Sequence, residues 1–206
     1  MQCPICGRRF RRFLPYDGRE GAVCPGCGSA ERHRLLWLWL RERLPKSLLT
    51  FGPDDATDAV LRGLPLHYVS ADIDATQAMV ASDITSLPFE DNQFEAVICS
   101  HVLEHVADET AALRELRRVA RDWVAVMVPV DASLPATVEG VADTPESRRS
   151  EYGQHDHVRV YGADTAQRLG AERVDLLGAA DPERARRHGL VRHDRFGPDD
   201  LFLIRP

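Results

Sequence analysis

The chain has 206 residues, 44% of them hydrophobic, which is enough for one domain of ordinary size and a small appendage. Its apolar runs are far shorter than the ~20 residues of a membrane-spanning helix, and the N-terminus lacks the apolar stretch of a signal peptide. We therefore expect a cytoplasmic protein with no membrane partner.

The net charge of -6 is unevenly distributed. The first 46 residues carry ten Lys/Arg against four Asp/Glu, whereas the remainder carries 16 Lys/Arg against 28 Asp/Glu. An acidic surface repels the phosphate backbone, so the larger part is not expected to bind nucleic acid. Any such binding would fall to the basic N-terminal part.

The first predicted element is a metal site formed by two cysteine pairs. The segments CPICG and CPGCG each place two residues inside a pair, with 17 residues between the pairs. Four thiolates suit Zn²⁺, and a tight turn lets two of them face one ion, although iron fits the same cage. Two disulfides are the alternative, which a reducing cytosol disfavours. We predict a zinc ribbon over residues 1–30 with a structural Zn²⁺ held by Cys3, Cys6, Cys24 and Cys27.

The loop between the cysteine pairs contains the basic and aromatic run RRFRRF at residues 8–13. Alternating arginine and phenylalanine side chains are suited to an anionic partner. A solvated loop tip, or a contact with the acidic part of the chain, explains the same residues.

A connector helix is predicted over residues 31–45, with Ser29 as its N-cap and Pro45 as its end. Helical spacing places four apolar side chains on one face: Leu36, Trp39, Leu40 and Leu44. Three more widen this surface, namely Leu35, Trp37 and Leu38. We therefore expect the helix to lie between the ribbon and the main domain.

The main domain is predicted over residues 46–206, where short apolar runs alternate with helical patterns. The predicted elements are the strand SLLTF, a helix at Asp55–Leu61, the strands HYVSADI and FEAVICS, a helix at residues 108–119 and the strand WVAVMVPV. Such alternation indicates an α/β fold with a parallel sheet covered on both faces. Ligands of these folds bind at the carboxyl ends of the strands.

The segment SDITSLPFEDNQFEAVICSHVLEHVADETAALRELRRVA resembles class I S-adenosylmethionine-dependent methyltransferases of the type 11 kind, from their third strand through their fourth helix. The segments CPGCGSAERHRLLWLWL and YGQHDHVRVYG are similar to a bacterial subgroup that joins a cysteine knuckle to this fold. The resemblance implies a Rossmann-like class I methyltransferase sheet with helices on both faces, and S-adenosylmethionine as cofactor.

The resemblance also implies positions for the cofactor. Asp72 matches the carboxylate that accepts hydrogen bonds from the ribose hydroxyls, and Asp83 with the backbone of Ile84 matches the group facing the adenine amino nitrogen. Ser100 and His101 lie where the family presents its methionine-contacting and substrate-facing residues. The ends of the first two strands complete the cofactor-binding set, with Phe51, Gly52 and Ile73.

Two departures from the family pattern concern the cofactor site. In TFGPDDATD, Gly52 is the only glycine, and Pro53 lacks an amide donor where the family has a glycine-rich loop. Only nine residues, 74–82, separate Ile73 from Asp83, so we expect the second helix to be shortened or missing.

A histidine-rich segment follows the fifth predicted strand. In GQHDHVRVYG, His155 and His157 flank Asp156, and a histidine that titrates near neutrality is suited to act as a base. Strand-like alternation predicts that these histidines share one side with the substrate-binding candidates Arg159 and Tyr161. Hydrogen bonds from the histidines to loop backbone are an equal alternative, and a metal bound by His155 and His157 has no evident third ligand.

The predicted function is transfer of a methyl group from S-adenosylmethionine to a small-molecule acceptor, biosynthetic or sugar-like, with His101, His155 and His157 as catalytic candidates. The degenerate loop favours an alternative, a methyltransferase-fold protein that is a non-methylating enzyme or a binding or scaffold module. A third hypothesis is a nucleic-acid or protein modifier recruited through the basic ribbon.

Overall fold

A computed structural model describes residues 1–16, 18–178, 180–190 and 200–206 of the chain. Its N-terminal part consists of a hairpin and a helix. Strands β1 (Leu14–Tyr16) and β2 (Arg19–Val23) pair antiparallel between the two cysteine pairs, and helix α1 spans Glu31–Leu40. Ala30, not the predicted Ser29, is the N-cap of α1, and the Ser29 hydroxyl instead lies 3.5 Å from Cys3 Sγ. The helix also ends before Pro45, which therefore does not terminate it.

Helix α1 lies between the ribbon and the main sheet, as predicted. The indole Nε1 of Trp37 donates a 2.9 Å hydrogen bond to the Pro4 carbonyl oxygen on the ribbon side. One hydrophobic cluster contains Phe13 of the ribbon, all four leucines of α1 and Ile98 of the sheet. Leu44 was predicted on the buried face but is exposed. The domain boundaries at residues 30 and 45 remain a prediction, since the cluster runs across both.

The remaining elements alternate as the sequence predicts. In chain order they are β3 (Ser47–Phe51), α2 (Asp55–Leu61), β4 (His67–Asp72), β5 (Val80–Ala81), β6 (Phe94–Ser100), a 3₁₀ turn (Leu103–His105), α3 (Glu109–Val119), β7 (Ala120–Met127), β8 (Val138–Glu139), α4 (Pro145–Tyr152), β9 (Arg159–Val160), α5 (Thr165–Leu169), β10 (Glu172–Val174), α6 (Pro182–His188) and β11 (Leu201–Ile204).

Seven of these strands form one mixed sheet in the order β10-β11-β7-β6-β3-β4-β5. Strands β3 to β7 run parallel, and β11 is antiparallel to both of its neighbours. Strands β3, β4 and β5 extend the sheet in one direction, and the chain then returns to add β6 and β7 on the other side of β3. The switch point therefore lies between β3 and β6. Such a switch point leaves a crevice at the carboxyl ends of the two strands, where α/β folds bind their ligands.

The predicted loss of the second helix is confirmed. Residues 73–79 form turns and bends without a helix, and β5, which follows them, has only two residues. As a result Ile73, directly after β4, is 76% exposed beside the crevice. Within the described ranges, no helix combines the length and apolar character that crossing a membrane requires.

Candidate functional site

The four cysteines of the ribbon converge on one point. Cys3 Sγ lies 3.7 Å from Cys27 Sγ, and Cys6 Sγ lies 3.8 Å from Cys24 Sγ. In a tetrahedron with Zn–S bonds of about 2.3 Å, neighbouring sulfurs are about 3.8 Å apart. All four sulfurs lie within 4.8 Å of one another, so the donor set fits a tetrahedral, thiolate-bound metal. The turns are possible because the glycine after each pair has a positive φ: Gly7 and Gly28.

A cleft of about 600 Å³ opens at the carboxyl ends of β3, β4 and β6, at the switch point of the sheet. Five predicted site residues line it together: Gly52, Asp72, Ile73, Ser100 and His101. The sheet topology brings them together from three separate stretches of sequence.

Gly52 lines the cleft at a point where the backbone leaves no room for a side chain. Its φ is +66°, and a Cβ at this position would lie 2.5 Å from Val102 Cγ2 and 2.9 Å from the Ser100 carbonyl oxygen. A side chain therefore does not fit where the end of β3 passes the end of β6. One element of the glycine cradle thus persists, although Pro53 beside it lacks an amide donor.

Three other predicted cofactor residues are placed differently. The side chains of Phe51 and Ile84 are buried in the hydrophobic core, so only their backbone is available to a ligand. Asp83 accepts 2.8 Å hydrogen bonds from the Thr85 amide and hydroxyl, which lower the pKa of Asp83. Within the described part of the chain, these residues lie outside the lining of the cleft. The contact of Asp83 and Ile84 with adenine, and that of Phe51 with the cofactor, stay predictions.

His101 carries unusual backbone geometry where it lines the cleft. Its φ is +56°, a left-handed conformation that is uncommon outside glycine and occurs at functional sites. Its ring Nδ1 lies 3.3 Å from Oε1 of the buried Glu104. Burial is the largest single influence and opposes ionisation of Glu104, but the hydrogen bond and charge of His101, together with the Glu104 backbone amide and His105, lower the pKa of Glu104 overall. A carboxylate thus holds the imidazole in place.

Helix α1 contributes two cleft residues that were not identified from the sequence, Arg32 and His33. The Ala30 amide donates to His33 Nδ1 at 3.3 Å, and Asp54 Oδ1 lies 3.3 Å from the same nitrogen. The nearby carboxylate would favour a charged ring, but burial lowers the pKa of His33 to about 2 and raises the pKa of Asp54. We therefore assign the neutral imidazole. Both positions lie in the segment CPGCGSAERHRLLWLWL, but the resemblance assigned them no role, and only the fold brings them to the cleft.

The histidines of the later segment are separated by the structure. His155 is exposed, whereas His157 is buried and its Nδ1 lies 3.1 Å from the Tyr152 carbonyl oxygen. Their predicted common side is therefore not observed. In the described ranges, the cleft lining includes the neighbouring Asp156 and also His105, but neither of these two histidines.

Arg159 and Tyr161, predicted to contact substrate, are both buried and bonded inside the protein. Arg159 donates to the carbonyl oxygens of Leu103 and Val106, at 2.5 and 2.6 Å, and to Glu139 at 2.9 Å. The Tyr161 hydroxyl donates to Glu109 at 2.5 Å. These contacts brace the 3₁₀ turn and the start of α3, and their burial favours a supporting role.

Comparison with known proteins agrees with this geometry. Residues 24–123 match a family described as a methyltransferase domain. A demethylmenaquinone methyltransferase of Mycobacterium marinum is 38% identical over 85 residues, covering 33% of this chain and 37% of that protein. The uncharacterised Escherichia coli protein YafE is 32% identical over 127 residues, covering 54% of this chain and 61% of that protein. The chain thus spans less than two thirds of the length of either relative.

Solved structures share the fold at low sequence identity. An S-adenosylmethionine-dependent methyltransferase of Mesorhizobium loti superposes with a TM-score of 0.57 at 12% identity, covering 84% of this chain and 98% of that one. The [4+2]-cyclase SpnF gives a TM-score of 0.57 at 18% identity, covering 94% of this chain and 86% of that one. The predicted α/β fold is confirmed. Residues 24–123 are thus similar to a methyltransferase domain, and the solved structures show a shared fold.

Proposed function

We propose that this chain is an S-adenosylmethionine-dependent methyltransferase that acts on a small-molecule acceptor. The observation that carries the proposal is the cleft at the switch point, which gathers Gly52, Asp72, Ser100 and His101 within the segment that matches a methyltransferase domain. The bound cofactor supplies an electrophilic methyl group on a sulfonium. The acidic balance of the main domain favours a small acceptor over nucleic acid.

The side chains of the cleft suggest how the cofactor is held. Asp72 at the end of β4 accepts hydrogen bonds from the ribose hydroxyls, and the exposed Ile73 offers an apolar surface beside it. Arg32 offers a guanidinium to the carboxylate of the methionine moiety. In this proposal Arg32 provides part of the cofactor binding that a glycine-rich loop provides in other methyltransferases.

Of the three predicted catalytic histidines, we retain His101 as the base. It lines the cleft, and Glu104 orients its ring, whereas His155 and His157 lie outside the lining among the described residues. A positioned imidazole next to a carboxylate accepts a proton from an amine or hydroxyl acceptor. We propose that this acceptor is a biosynthetic intermediate or a sugar-like molecule. The Mycobacterium marinum relative is named a demethylmenaquinone methyltransferase, and this name supports a small-molecule acceptor.

Calorimetric titration of the full chain with S-adenosylmethionine and with S-adenosylhomocysteine tests cofactor binding. We expect saturable binding of one ligand per chain, and transfer of an isotope-labelled methyl group to an acceptor from a panel of small amines and alcohols. The absence of heat at millimolar ligand would contradict the proposal.

A second candidate function is a non-methylating enzyme or a binding module on the same fold. Pro53 in the first loop favours it, as does the shared fold with SpnF, which is named as a cyclase. Binding of both cofactor forms without transfer to any acceptor would favour this candidate.

We also propose that the four cysteines bind one structural Zn²⁺ and that the protein works in the cytoplasm, where reducing conditions keep these thiols free. Metal analysis should find one equivalent of zinc fewer in Cys24→Ser than in the unmodified protein. Cys99→Ala is the matched control, because Cys99 is a buried cysteine within β6. Equal metal contents in the two variants would exclude the cage.

A further inference from the structure

We propose that Glu104, His105 and His157 bind a divalent metal ion at the edge of the cleft, separate from the cysteine cage. Each of the three residues offers one ligand atom, and these atoms lie within 4.8 Å of one another. The rings of His105 and His157 are perpendicular with centroids 4.8 Å apart. Glu104 is the third ligand that could not be identified from the sequence. In the predicted histidine pair, His105 takes the place of the exposed His155.

The hydrogen bonds of the two histidines prepare them as ligands. The Tyr152 carbonyl only accepts, so His157 Nδ1 donates to it at 3.1 Å. With the proton on Nδ1, the lone pair of the neutral ring lies on Nε2, which is available to a metal ion. His105 Nδ1 lies 3.3 Å from Asp156 Oδ2, which repeats the arrangement on a carboxylate. Metal-bound histidines usually donate their second nitrogen in this way.

The buried carboxylate of Glu104 is an independent indication that a cation binds at this site. Its carboxylate is almost fully buried, and Oε1 faces His101. Among the described residues, Oε2 has no hydrogen-bond partner. A buried carboxylate oxygen without a partner is destabilising, so the arrangement is unfavourable unless a positive partner lies beside it. A metal ion between Oε2 and the imidazoles would satisfy it.

The surrounding structure holds these ligands rigidly. Arg159 donates hydrogen bonds to the carbonyl oxygens of Leu103 and Val106, which flank Glu104 and His105 in the chain. This gives the buried Arg159 a positioning role for the site.

The donor set indicates the class of metal. Two imidazoles and one carboxylate suit Zn²⁺, Co²⁺ or Fe²⁺, and three protein ligands leave positions open for water or an acceptor oxygen. His105 also lines the cleft, so the ion would border the space assigned to the acceptor. The metal site does not depend on cofactor binding, and each is measured separately.

The test is a Co²⁺ titration of the full chain whose cysteine cage is loaded with Zn²⁺, followed by calorimetry and visible absorption. We expect one Co²⁺ per chain, with ligand-field bands but without thiolate charge-transfer absorption. Glu104→Gln and His105→Gln should each weaken Co²⁺ binding at least about tenfold, the smallest effect usual even for outer partners of a metal. His155→Gln is the matched control, because His155 is exposed two residues before His157 and is not a proposed ligand, so this variant should bind like the unmodified protein.

Two results would overturn the proposal. One is the absence of Co²⁺ binding beyond the cage, and the other is equal affinity in Glu104→Gln, His105→Gln and His155→Gln. Because Glu104 is buried, each variant is first checked for an unchanged circular dichroism spectrum. His105 is partly exposed, so its replacement keeps the test decisive if Glu104→Gln does not fold. Titration with S-adenosylhomocysteine on the same samples shows whether the cofactor site survives.

Discussion

The guanidinium of Arg34 donates a 2.7 Å hydrogen bond to the carbonyl oxygen of Gly189, which joins α1 to the end of α6. Arg34 is fully buried. Its guanidinium lies over the Phe13 ring in a cation–π contact, with Arg34 Cζ 4.6 Å from the ring centroid. Its other acceptors are also backbone carbonyl oxygens, those of Ala22, Ser29 and His188. One side chain therefore ties the ribbon, the connector helix and the negative end of α6 together.

Replacing this side chain should destabilise the whole fold. In Arg34→Lys a single ammonium with three donors replaces a planar fork with five, so several buried carbonyl oxygens lose their partner. We expect the free energy of unfolding in denaturant to fall by about 2–4 kcal/mol. Arg43→Lys is the control, because Arg43 is exposed just beyond α1. A similar loss in both variants would contradict the assigned role.

Gly52→Ala should distort the cleft where the end of β3 meets the end of β6. The new Cβ would meet Val102 and Ser100, and the positive φ alone costs about 1–2 kcal/mol for any other residue. Gly140→Ala separates the two effects, because Gly140 has φ +73° with nothing within 4 Å of its Cβ position. We expect binding of S-adenosylhomocysteine to be lost only in Gly52→Ala, as measured by calorimetry. Loss in neither variant would argue against a cofactor beside Gly52.

Asp72→Ala should weaken cofactor binding by about 1–3 kcal/mol, since a charged acceptor for the ribose hydroxyls is removed. Asp74→Ala is a close control, because both carboxylates accept a backbone amide two residues later and only Asp72 lines the cleft among the described residues. Equal affinities of the two variants for S-adenosylhomocysteine would show that the ribose lies elsewhere.

His33 should make the stability of the protein depend on pH. Its pKa is about 2 in the folded state against 6.5 ordinarily, so only the unfolded chain takes up a proton as the pH falls through 6.5. The stability due to a neutral His33 is therefore present above that pH and declines as the solution is acidified. Between about pH 7 and about pH 5, His33→Gln should lose less free energy of unfolding than the unmodified protein. Parallel pH profiles of the two proteins would contradict the neutral assignment.

Much of the fold was predictable because local signals and tertiary packing agree. Strands β3 and β6 and helix α2 begin and end where the sequence places them, since apolar runs mark the strands and Asp54 caps the helix through the Thr57 amide. The short connection after Asp72 likewise predicted the missing helix.

The site was less predictable, because alternation shows which side chains share a side but not whether that side faces solvent or core. Arg159 and Tyr161 face inward, where they hold backbone and Glu109. His33 in the cleft wall and the meeting of Glu104 with His157 depend on contacts between distant parts of the chain, for which no local pattern exists.

Helix α1 carries Trp37 against the ribbon and Arg32 and His33 in the wall of the cleft. A shortened chain that began at β3 would lose this wall along with the cysteines, so its inactivity would reveal nothing about the metal. For the same reason, a substitution that unfolds the ribbon should also disturb the wall of the cleft, whether or not a partner binds the ribbon.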